Sequence, residues 1–285
     1  MKKYITNIAA AALAEDLFGG GDITTHSLVS SKHRSSAKII VKTAGTIGGL
    51  ELAKIVFKQL DKNFTFNACV KEGHSVKAFT VIAQLKGSTR ALLTGERTAL
   101  NFLSYVSGIA TKTQQFVSKV KGYKTQILDT RKTTPLLRAL ERYAVRCGGG
   151  VNHRFNLSDM VMIKDNHRVV AKGDCLNLNE AVNQIKAKTT KQIELEVDTL
   201  EELAEALLTK ADIILLDNMT PTQTKAAVLM RNRLNKRILL ESSGGINLNN
   251  VAVYAATGVE RISIGALTHS RCALDFSLEF EHGPH

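Results

Sequence analysis

The second half of the chain, from Lys124 onward, alternates short apolar runs with helical segments, and this alternation restricts the fold more than any other feature. The runs read QILDT, MVMIKD, IELEV, DIILLD, RILLES and RISIG. Strands that are apolar on both faces are typical of parallel sheets with both faces covered. The pattern therefore predicts parallel strands in either an α/β barrel or a doubly wound sheet.

The helical segments between these runs carry capping signals. Thr199 and Glu202 have the spacing of a capping box. Thr220 followed by Pro221 is typical of a helix start, where the missing N–H of proline does no harm. The segment NLNNVAVYAATG is expected to start from an Asn cap and to end at Gly258. These signals support regular β-α units.

The first 90 or so residues have a mixed pattern of short strands and helices. The alanine-rich start predicts a helix that stops at Gly19–Gly21, with a cleaved leader peptide as the alternative. SAKIIVKTAGTIGG and NFTFNACVKEGHSVKAFTVIAQLKG predict short strands, and ELAKIVFKQL predicts an amphipathic helix. RALLTGERTALNFLSYVSGIATKTQQFVSKV predicts a long helix that is broken near Gly108.

Composition limits the partners and the compartment. The 285 residues include 38 Lys and Arg and 26 Asp and Glu, a net charge of +12 that suits anionic ligands or simply solubility. With 5% aromatic residues and no Trp, a stacking surface for single-stranded nucleic acid is disfavoured. Apart from the alanine-rich start of the chain, no segment is apolar over a length that could span a membrane. No CxxC pair occurs, which favours reduced thiols in the cytoplasm; the four cysteines are Cys69, Cys147, Cys175 and Cys272.

A polar residue or a glycine follows or ends each apolar run. These residues are Asp129 to Lys132, Lys164 with Asp165, Glu196, Asp217, Glu241 and Gly265. In an α/β barrel the carboxyl ends of all strands meet at one rim, where the chemistry takes place. The sequence therefore predicts a single cluster, whereas unrelated surface charges are the alternative.

This predicted cluster combines three kinds of binding group. Its cations can bind carboxylates and phosphates; they are Arg131, Lys132, His153, Arg154 and Lys164. Its acids, Glu196 and Asp217, suit Mg²⁺ or a developing cation. Two glycine turns after the last strands suit a phosphate group; they contain Ser243, Gly244 and Gly245, and Ile264, Gly265 and Ala266.

Nine segments together resemble the quinolinate phosphoribosyltransferases, also called nicotinate-nucleotide pyrophosphorylases (carboxylating). In chain order they are AEDLFGGGDITT, GERTALNFLSYVSGIATKT, DTRKTTP, LERYAV, GGGVNHR, MIKDNH, LLDNM, SSGGI and GALTHS. The resemblance covers nearly the whole chain. It implies an N-terminal α/β sandwich (residues 1–110, to which 270–285 return with the last helix) and an open parallel α/β barrel (residues 111–269).

The resemblance also implies a reaction and a set of roles. Quinolinate would take the phosphoribosyl group of phosphoribosyl pyrophosphate and lose CO₂, giving nicotinate mononucleotide and pyrophosphate in NAD biosynthesis, with Mg²⁺ as cofactor. The catalytic residues would be Lys132, Lys164, Glu196 and Asp217. The two carboxylates of quinolinate would contact Arg131, His153, Arg154, Lys164 and Arg97 of the partner subunit in a homodimer or dimer-based oligomer. Thr130 and Lys132 would also contact substrate. Glu196 and Asp217 would hold Mg²⁺ and the ribose hydroxyls. The two glycine turns would bind the 5′-phosphate.

Four positions depart from the family pattern, and two other functions compete with this one. Leu136 and Asn156 stand where glycine is common, Ser242 where alanine is frequent, and Arg168 where an apolar residue is usual. A paralogue with the same barrel could act on another base, as the molybdenum-transport-associated relatives do. A basic nucleic-acid-binding protein is the competitor from another class, although the prominent cations lie at predicted strand ends rather than along exposed helices.

Overall fold

The computed structural model describes residues 2–173 and 177–281, which divide into two compact units. The first contains the described residues of Met1–Gln114, Pro135–Gly149 and Arg271–His285, and the second those of Gln115–Thr134 and Gly150–Ser270. The division expected at residues 110 and 269 stays a prediction. The division by contacts differs from it mainly in Pro135–Gly149, which packs within the first unit.

The first unit combines helices with an antiparallel sheet. Its helices are α1 (Lys2–Asp16), α2 (Ile23–Leu28), α3 (Leu50–Leu60), most of α4 (Thr89–Lys119) and α5 (Arg138–Cys147). Its strands are β1 (Arg34–Val41), β2 (Gly45–Thr46), β3 (Thr65–Ala68), β4 (Ser75–Val76), β5 (Val81–Ser88) and β12 (Phe276–Phe280). Four strands form one sheet in the order β12-β1-β5-β3, and β2 pairs with β4. Its core contains the stacked rings of Phe57 and Phe64, whose centroids are 4.9 Å apart.

The end of the chain returns to the first unit as a strand, so the expectation of a returning helix is wrong. β12 pairs antiparallel with β1, placing Leu278 opposite Ile39. Phe276 and Leu278, two residues apart, are both buried. This alternation fits a strand that covers one face of a core better than it fits a helix.

The break expected near Gly108 is also wrong, because α4 is continuous from Thr89 to Lys119. A Cβ atom at Gly108 would lie only 2.1 Å from the carbonyl oxygen of Cys272. The glycine therefore allows the backbone of the C-terminal segment to pass close to the helix. This packing outweighs the roughly 1 kcal/mol by which glycine disfavours a helix interior.

The second unit is an open α/β barrel, which confirms the predicted fold class and all six predicted strands. The strands β6 (Gln126–Leu128), β7 (Val161–Ile163), β8 (Ile193–Val197), β9 (Ile213–Asp217), β10 (Leu239–Ser243) and β11 (Arg261–Ser263) are parallel, in the order β6-β11-β10-β9-β8-β7. The intervening helices are α6 (Asp165–Gly173), α7 (Leu178–Lys188), α8 (Leu200–Ala206), α9 (Pro221–Leu234), α10 (Val251–Ala255) and α11 (Ala266–His269). Within the described residues, no helix has the length and apolar character needed to cross a membrane.

The helix caps agree with the sequence fully at α9, in half of the expected capping box at α8, where the Glu202 side chain accepts from the Asp198 N–H instead, and not at α10. Thr220 and Gln223 form a capping box at α9, with proline in the first turn. At α8 the Thr199 side chain accepts a hydrogen bond from the Glu202 N–H at 3.2 Å. α10 ends at Ala255 rather than Gly258, and Asn250 makes no side-chain cap bond to it. The Asn250 carboxamide instead accepts a hydrogen bond from the Asn247 N–H at 2.7 Å, which closes the preceding turn.

The cysteines are free thiols wherever the structure describes them. These are Cys69, Cys147 and Cys272, whereas Cys175 lies outside the described residues. Burial, and then the charge of Glu72, raises the pKa of Cys147 to about 11. Cys147 is therefore a protonated thiol at neutral pH.

Leu136, one of the four departures, has a backbone conformation that favours glycine. Its φ is 66°, in the left-handed region, and its side chain is 90% exposed. A non-glycine residue loses about 1–2 kcal/mol in this region, whereas glycine loses about 0.5–1 kcal/mol of additional chain entropy on folding. Little packing is lost with an exposed side chain.

We therefore expect Leu136→Gly to raise the free energy of unfolding by about 0.5 kcal/mol. Chemical denaturation of the wild type and the variant measures the difference. Leu136→Ala is the matched control, because alanine also removes the side chain but keeps the Cβ atom responsible for the strain. An equal effect of both variants would contradict the backbone explanation.

Candidate active site

A cavity of about 600 Å³ opens at the carboxyl end of the barrel strands, within the second unit. Every strand or the loop after it contributes to the lining, which confirms the predicted clustering. The cavity brings together all the predicted site residues except Arg97: Thr130, Arg131, Lys132, His153, Arg154, Lys164, Glu196, Asp217, Ser243, Gly244, Gly245, Ile264, Gly265 and Ala266. Their roles toward a substrate stay predictions.

Arg97 lies in the first unit, exposed on α4. Next to it, Glu96 is half-buried; burial raises the pKa of Glu96, and the charge of Arg97 lowers it. Glu96 is an alternative partner for this arginine within its own chain, because the two charges interact. The structure therefore leaves a role of Arg97 toward a second subunit as a prediction.

The cavity lining carries more cations than anions. The cationic side chains are Arg131, Lys132, Arg154 and Lys164, and the carboxylates are Glu196, Asp217 and the fully buried Glu241. Burial, and then the charge of Arg131, lowers the pKa of the half-buried Arg154. A guanidinium group whose charge is disfavoured by a neighbouring cation is stabilised when an anion binds next to it. The lining is therefore suited to an anionic ligand.

Lys164, directly after β7, contacts the carboxylate of Glu196 on β8. Arg168, in the first turn of α6, contacts the backbone of Glu196 in this pair. Its guanidinium donates to the backbone carbonyl of Glu196 at 3.2 Å and to both carboxylate oxygens of Glu202 on α8. This departure from the family pattern therefore links α6 to the end of β8 and to α8.

Lys132 lies in the loop after β6, which is held by side-chain hydrogen bonds. The Lys132 N–H donates to the hydroxyl of Thr130 at 3.1 Å, and the hydroxyl of Thr268 donates to the Lys132 carbonyl at 2.7 Å. A Cβ atom at Gly265 would lie 2.9 Å from Cδ of Lys132. Gly265 therefore leaves room for the aliphatic part of the lysine side chain along the turn after β11.

The turns after β9 and β10 pack directly against each other. Asn218 donates from its carboxamide to Asp217 at 2.7 Å and from its backbone N–H to the carbonyl of Ser243 at 2.9 Å. Gly244 has a φ of 88°, and a Cβ atom there would lie 2.0 Å from Oδ1 of Asn218. Glycine is thus required both for the backbone conformation and for the space.

Glu196 and Asp217 form a pair of oxygen donors on neighbouring strands that fits Mg²⁺. Lys164 contacts one oxygen of Glu196, and Asn218 donates to Oδ2 of Asp217. Each carboxylate has a second oxygen for a hard cation. Mg²⁺ is commonly held by one or two carboxylates together with substrate phosphates and water. The donor set therefore fits a magnesium ion that arrives with a phosphorylated substrate.

His153 has partners different from the expected ones. It is 7% exposed, and Nδ1 accepts a hydrogen bond from the Arg154 N–H at 2.7 Å. Nε2 lies 3.0 Å from Oε2 of Glu194 and 3.3 Å from Oε1 of Glu241, between two carboxylates that are fully buried. Both ring nitrogens thus face protein groups, and a contact of His153 with a substrate carboxylate stays a prediction.

The protons of this buried cluster are shared. Burial lowers the pKa of His153, but the hydrogen bonds and charges of Glu194 and Glu241 outweigh burial and raise it to about 9. Burial, and then the charge of Glu241, raises the pKa of Glu194, whereas His153 and Arg261 lower that of Glu241 against burial. The same two protons can occupy both ring nitrogens, or Nε2 and the Glu194 carboxyl. The Arg154 N–H favours the second arrangement, because it needs Nδ1 as an acceptor.

This proton arrangement argues against a metal ion at the cluster. His153, Glu194 and Glu241 have ligand atoms within 4.8 Å of one another, close enough to surround an ion. A histidine nitrogen must be deprotonated to bind a metal. Nδ1 is occupied by the Arg154 N–H, so the proton resides on Nε2, the atom that faces the carboxylates.

Sequence reasoning missed several lining residues and the buried cluster. The missed lining residues are Met162, Leu215, Ile246, Ser263 and His269, and Glu241 was noted only as a strand-end residue. Glu194 could have been found, because side chains two residues apart point to the same face of a strand. In IELEV this places Glu194 beside Glu196, whereas Ile193, Leu195 and Val197 point to the other face.

Comparison with known proteins identifies the family. Residues 22–107 match the family described as the quinolinate phosphoribosyl transferase N-terminal domain, and residues 109–279 match its C-terminal domain. The chain belongs to the quinolinate phosphoribosyltransferase family. The chain is 43% identical over 273 residues to the nicotinate-nucleotide pyrophosphorylase [carboxylating] of Mycobacterium leprae. The alignment covers 94% of both chains.

Two further relatives agree with this membership. The probable nicotinate-nucleotide pyrophosphorylase [carboxylating] of Synechocystis sp. is 42% identical over 269 residues, covering 94% of this chain and 89% of that protein. The structure of the nicotinate-nucleotide pyrophosphorylase from Francisella tularensis superposes with a TM-score of 0.90 at 39% identity. The superposition covers 99% of this phosphoribosyltransferase-family chain and 97% of the other, so the two units of the fold are both represented.

Proposed function

We propose that this protein transfers the phosphoribosyl group of phosphoribosyl pyrophosphate to quinolinate and releases CO₂, pyrophosphate and nicotinate mononucleotide. One observation carries the proposal: a single cavity combines an excess of cations with a pair of carboxylates and two glycine turns. The cations suit the two carboxylates of quinolinate, the acids suit the ribose and the glycine turns suit a phosphate. Family membership supports the same reaction.

The first step joins the ring nitrogen of quinolinate to the anomeric carbon of the ribose. The bond from this carbon to pyrophosphate breaks, and its electron pair leaves with the pyrophosphate. The sugar becomes positively charged in the transition state, and the carboxylates of Glu196 and Asp217 stabilise this charge. Lys132 compensates the negative charge of the leaving pyrophosphate. No side chain needs to act as a nucleophile, because positioning and charge supply the acceleration.

The second step removes the carboxylate next to the ring nitrogen. The bond between this carboxylate and the ring breaks, CO₂ leaves, and its electron pair stays on the ring carbon beside the now cationic nitrogen. A proton from water then replaces the carboxylate on this carbon. Arg131, Arg154 and Lys164 hold the dicarboxylate in place while the charge moves.

We also propose Mg²⁺ as the cofactor, bound by Glu196 and Asp217 together with the substrate. Their oxygen atoms are the ligand type that Mg²⁺ prefers. When bound, the ion would neutralise negative charge on the pyrophosphate group. The two carboxylates themselves orient the ribose hydroxyls.

The proposed active unit is a homodimer in which Arg97 of one subunit completes the cavity of the other. An exposed arginine on α4 is available to a second chain. Guanidinium groups bind carboxylates with two parallel hydrogen bonds, which suits the second carboxylate of quinolinate. In a two-fold dimer each subunit would supply one Arg97 and receive one.

The two competing functions have less support. A paralogue acting on another base would not need three cations around a dicarboxylate, and the relatives named above carry the quinolinate activity in their names or family description. A nucleic-acid-binding protein would place its basic residues along an exposed surface with aromatic residues between them. Here the prominent cations line a cavity instead.

Nicotinate tests the proposal, because it differs from quinolinate by lacking one carboxylate. We expect nicotinate to react at least about tenfold less efficiently, since losing a hydrogen-bonded partner of a charged group costs about 1.5–3 kcal/mol. Measuring kcat/KM for both compounds with phosphoribosyl pyrophosphate gives the ratio. Comparable values would contradict a site built for a dicarboxylate.

A further inference from the structure

A buried cluster of charged side chains lies inside the barrel, next to the cavity. Glu194 on β8 and Glu241 on β10 are both 0% exposed, and His153 reaches between them. Arg261 on β11 donates from Nε to Oε2 of Glu241 at 2.7 Å. The proposed reaction assigns no step to either glutamate.

The energetic balance of this cluster is unusual for a barrel interior. Glu241 has three partners: Arg261 donates to one carboxylate oxygen, His153 lies next to the other, and the Ser263 side chain also forms a hydrogen bond with this carboxylate. Among the ion pairs of the described residues, Glu194 has His153 as its partner. Buried ionic groups stabilise a fold less than apolar side chains of similar volume do. Stability alone therefore does not account for two glutamates at these positions.

The cluster fixes the ring of His153 and, through the ring, the backbone of Arg154. The Arg154 N–H donates to Nδ1 of His153 at 2.7 Å, so the ring position determines where this N–H lies. On the other side, the His153 N–H donates to Oδ1 of the buried Asp129 at 2.6 Å. The backbone between these two bonds is held from both sides.

Arg154 in turn presents its guanidinium group to the cavity. It is oriented by hydrogen bonds to the carbonyl of Met160 at 3.2 Å and to Sδ of Met162 at 3.4 Å. A guanidinium can bind a carboxylate through two parallel bonds only if it is placed accurately. A displacement of the Arg154 backbone would therefore weaken the binding of a carboxylate more than that of a phosphate elsewhere in the cavity.

We propose that Glu194 and Glu241 are positioning residues that act through His153 to place Arg154 for the carboxylate-bearing substrate. They do not touch the substrate themselves. The inference rests on the proposed function, because it concerns the quinolinate end of the same cavity. In this arrangement His153 links the two glutamates to Arg154.

The two glutamates should respond differently to replacement by glutamine. Glutamine has one acceptor oxygen where glutamate has two. At position 241 this oxygen can accept a hydrogen bond from Arg261 or from His153, but not from both. At position 194 it needs to accept a hydrogen bond only from His153. We expect Glu241→Gln to raise the KM for quinolinate at least about threefold, and Glu194→Gln to leave it nearly unchanged.

Replacing Glu194 with methionine removes the acceptor and keeps most of the volume. We expect the quinolinate KM of Glu194→Met to rise at least about tenfold while the KM for phosphoribosyl pyrophosphate stays within about twofold. A ¹⁵N NMR spectrum of the histidines adds a direct readout. Nδ1 of His153 should appear as a hydrogen-bond acceptor in the wild type and in Glu194→Gln, and should lose this signature in Glu194→Met.

Glu260→Gln is the matched control. Glu260 binds Arg231 at 2.6 Å and the N–H of Leu240 at 3.0 Å, and it precedes β11, at the end of the barrel opposite the cavity. Its replacement should lower stability and leave both KM values unchanged. Equal rises of both KM values in Glu194→Met, or a quinolinate KM that does not change, would overturn the proposal.

Two further measurements keep the test decisive. If Glu194→Met does not fold, the comparison of Glu241→Gln with Glu194→Gln decides, and equal KM values for these two variants would overturn the proposal. Calorimetric titration of the wild type with quinolinate separates this inference from the proposed function. Lack of binding by the wild type refutes the function itself, whereas binding that is equally tight in Glu194→Met refutes only the positioning role.

Discussion

Replacing Lys164 with alanine is expected to lower kcat at least about a hundredfold while the protein stays folded, because preorganised charges at a reacting centre contribute factors of this size. Glu196→Ala should have a similar effect. The two side chains contact each other at the carboxyl ends of β7 and β8 and line the cavity. Barrel stability resides mainly in the packed interior and the opposite face. A partly exposed ion pair such as this one adds no more than about 1 kcal/mol.

The matched control is Lys186→Ala. Lys186 pairs with Asp212 at 2.7 Å, and this second lysine–carboxylate pair lies before β9, at the amino ends of the strands. Its loss should leave kcat within about twofold of the wild type. Steady-state kinetics and thermal unfolding of the three variants separate the alternatives. A fall in unfolding temperature that accompanies the loss of activity in Lys164→Ala would contradict a purely chemical role.

Mixing two inactive variants should restore activity if the site is shared between subunits. Arg97→Ala and Lys164→Ala are each expected to be nearly inactive alone. After exchange, a hybrid dimer has one cavity with both defects and one cavity with none. Random assortment makes half of the dimers hybrids, so about a quarter of all sites should recover.

The control for this experiment mixes Lys164→Ala with Glu196→Ala. Both residues line the cavity of the same chain, so each cavity of their hybrid dimer keeps one defect and no activity should return. Native mass spectrometry of differently labelled subunits verifies that exchange has occurred. Verified exchange without recovery in the first mixture would refute the role of Arg97 across an interface.

Local patterns were sufficient to predict the barrel and most of its rim. The strand IELEV was predicted with its observed bounds, since β-branched and apolar residues alternate there with two glutamates. The strand ends converge because parallel strands in a barrel have their carboxyl ends on one side. A residue such as Asp217 could therefore be assigned to the cavity without any knowledge of its neighbours.

Features that depend on distant parts of the chain could not be predicted in this way. Gly108 resembles a helix break until the Cys272 carbonyl is seen to occupy the space beside it. The position of the Glu194 and Glu241 carboxylates next to the His153 ring likewise depends on strands that are far from His153 in the sequence. In each case the deciding contact joins segments whose spatial relation no local periodicity encodes.

Product analysis with quinolinate labelled with ¹³C in the carboxylate beside the ring nitrogen tests the central claim most directly. The protein is incubated with this compound, phosphoribosyl pyrophosphate and Mg²⁺, and nicotinate mononucleotide and labelled CO₂ are both quantified. We predict equal molar amounts of the two products, formed at least about a hundredfold more slowly by Lys164→Ala. A ribosylated product that retains the label, or no nucleotide product from quinolinate, would contradict the account.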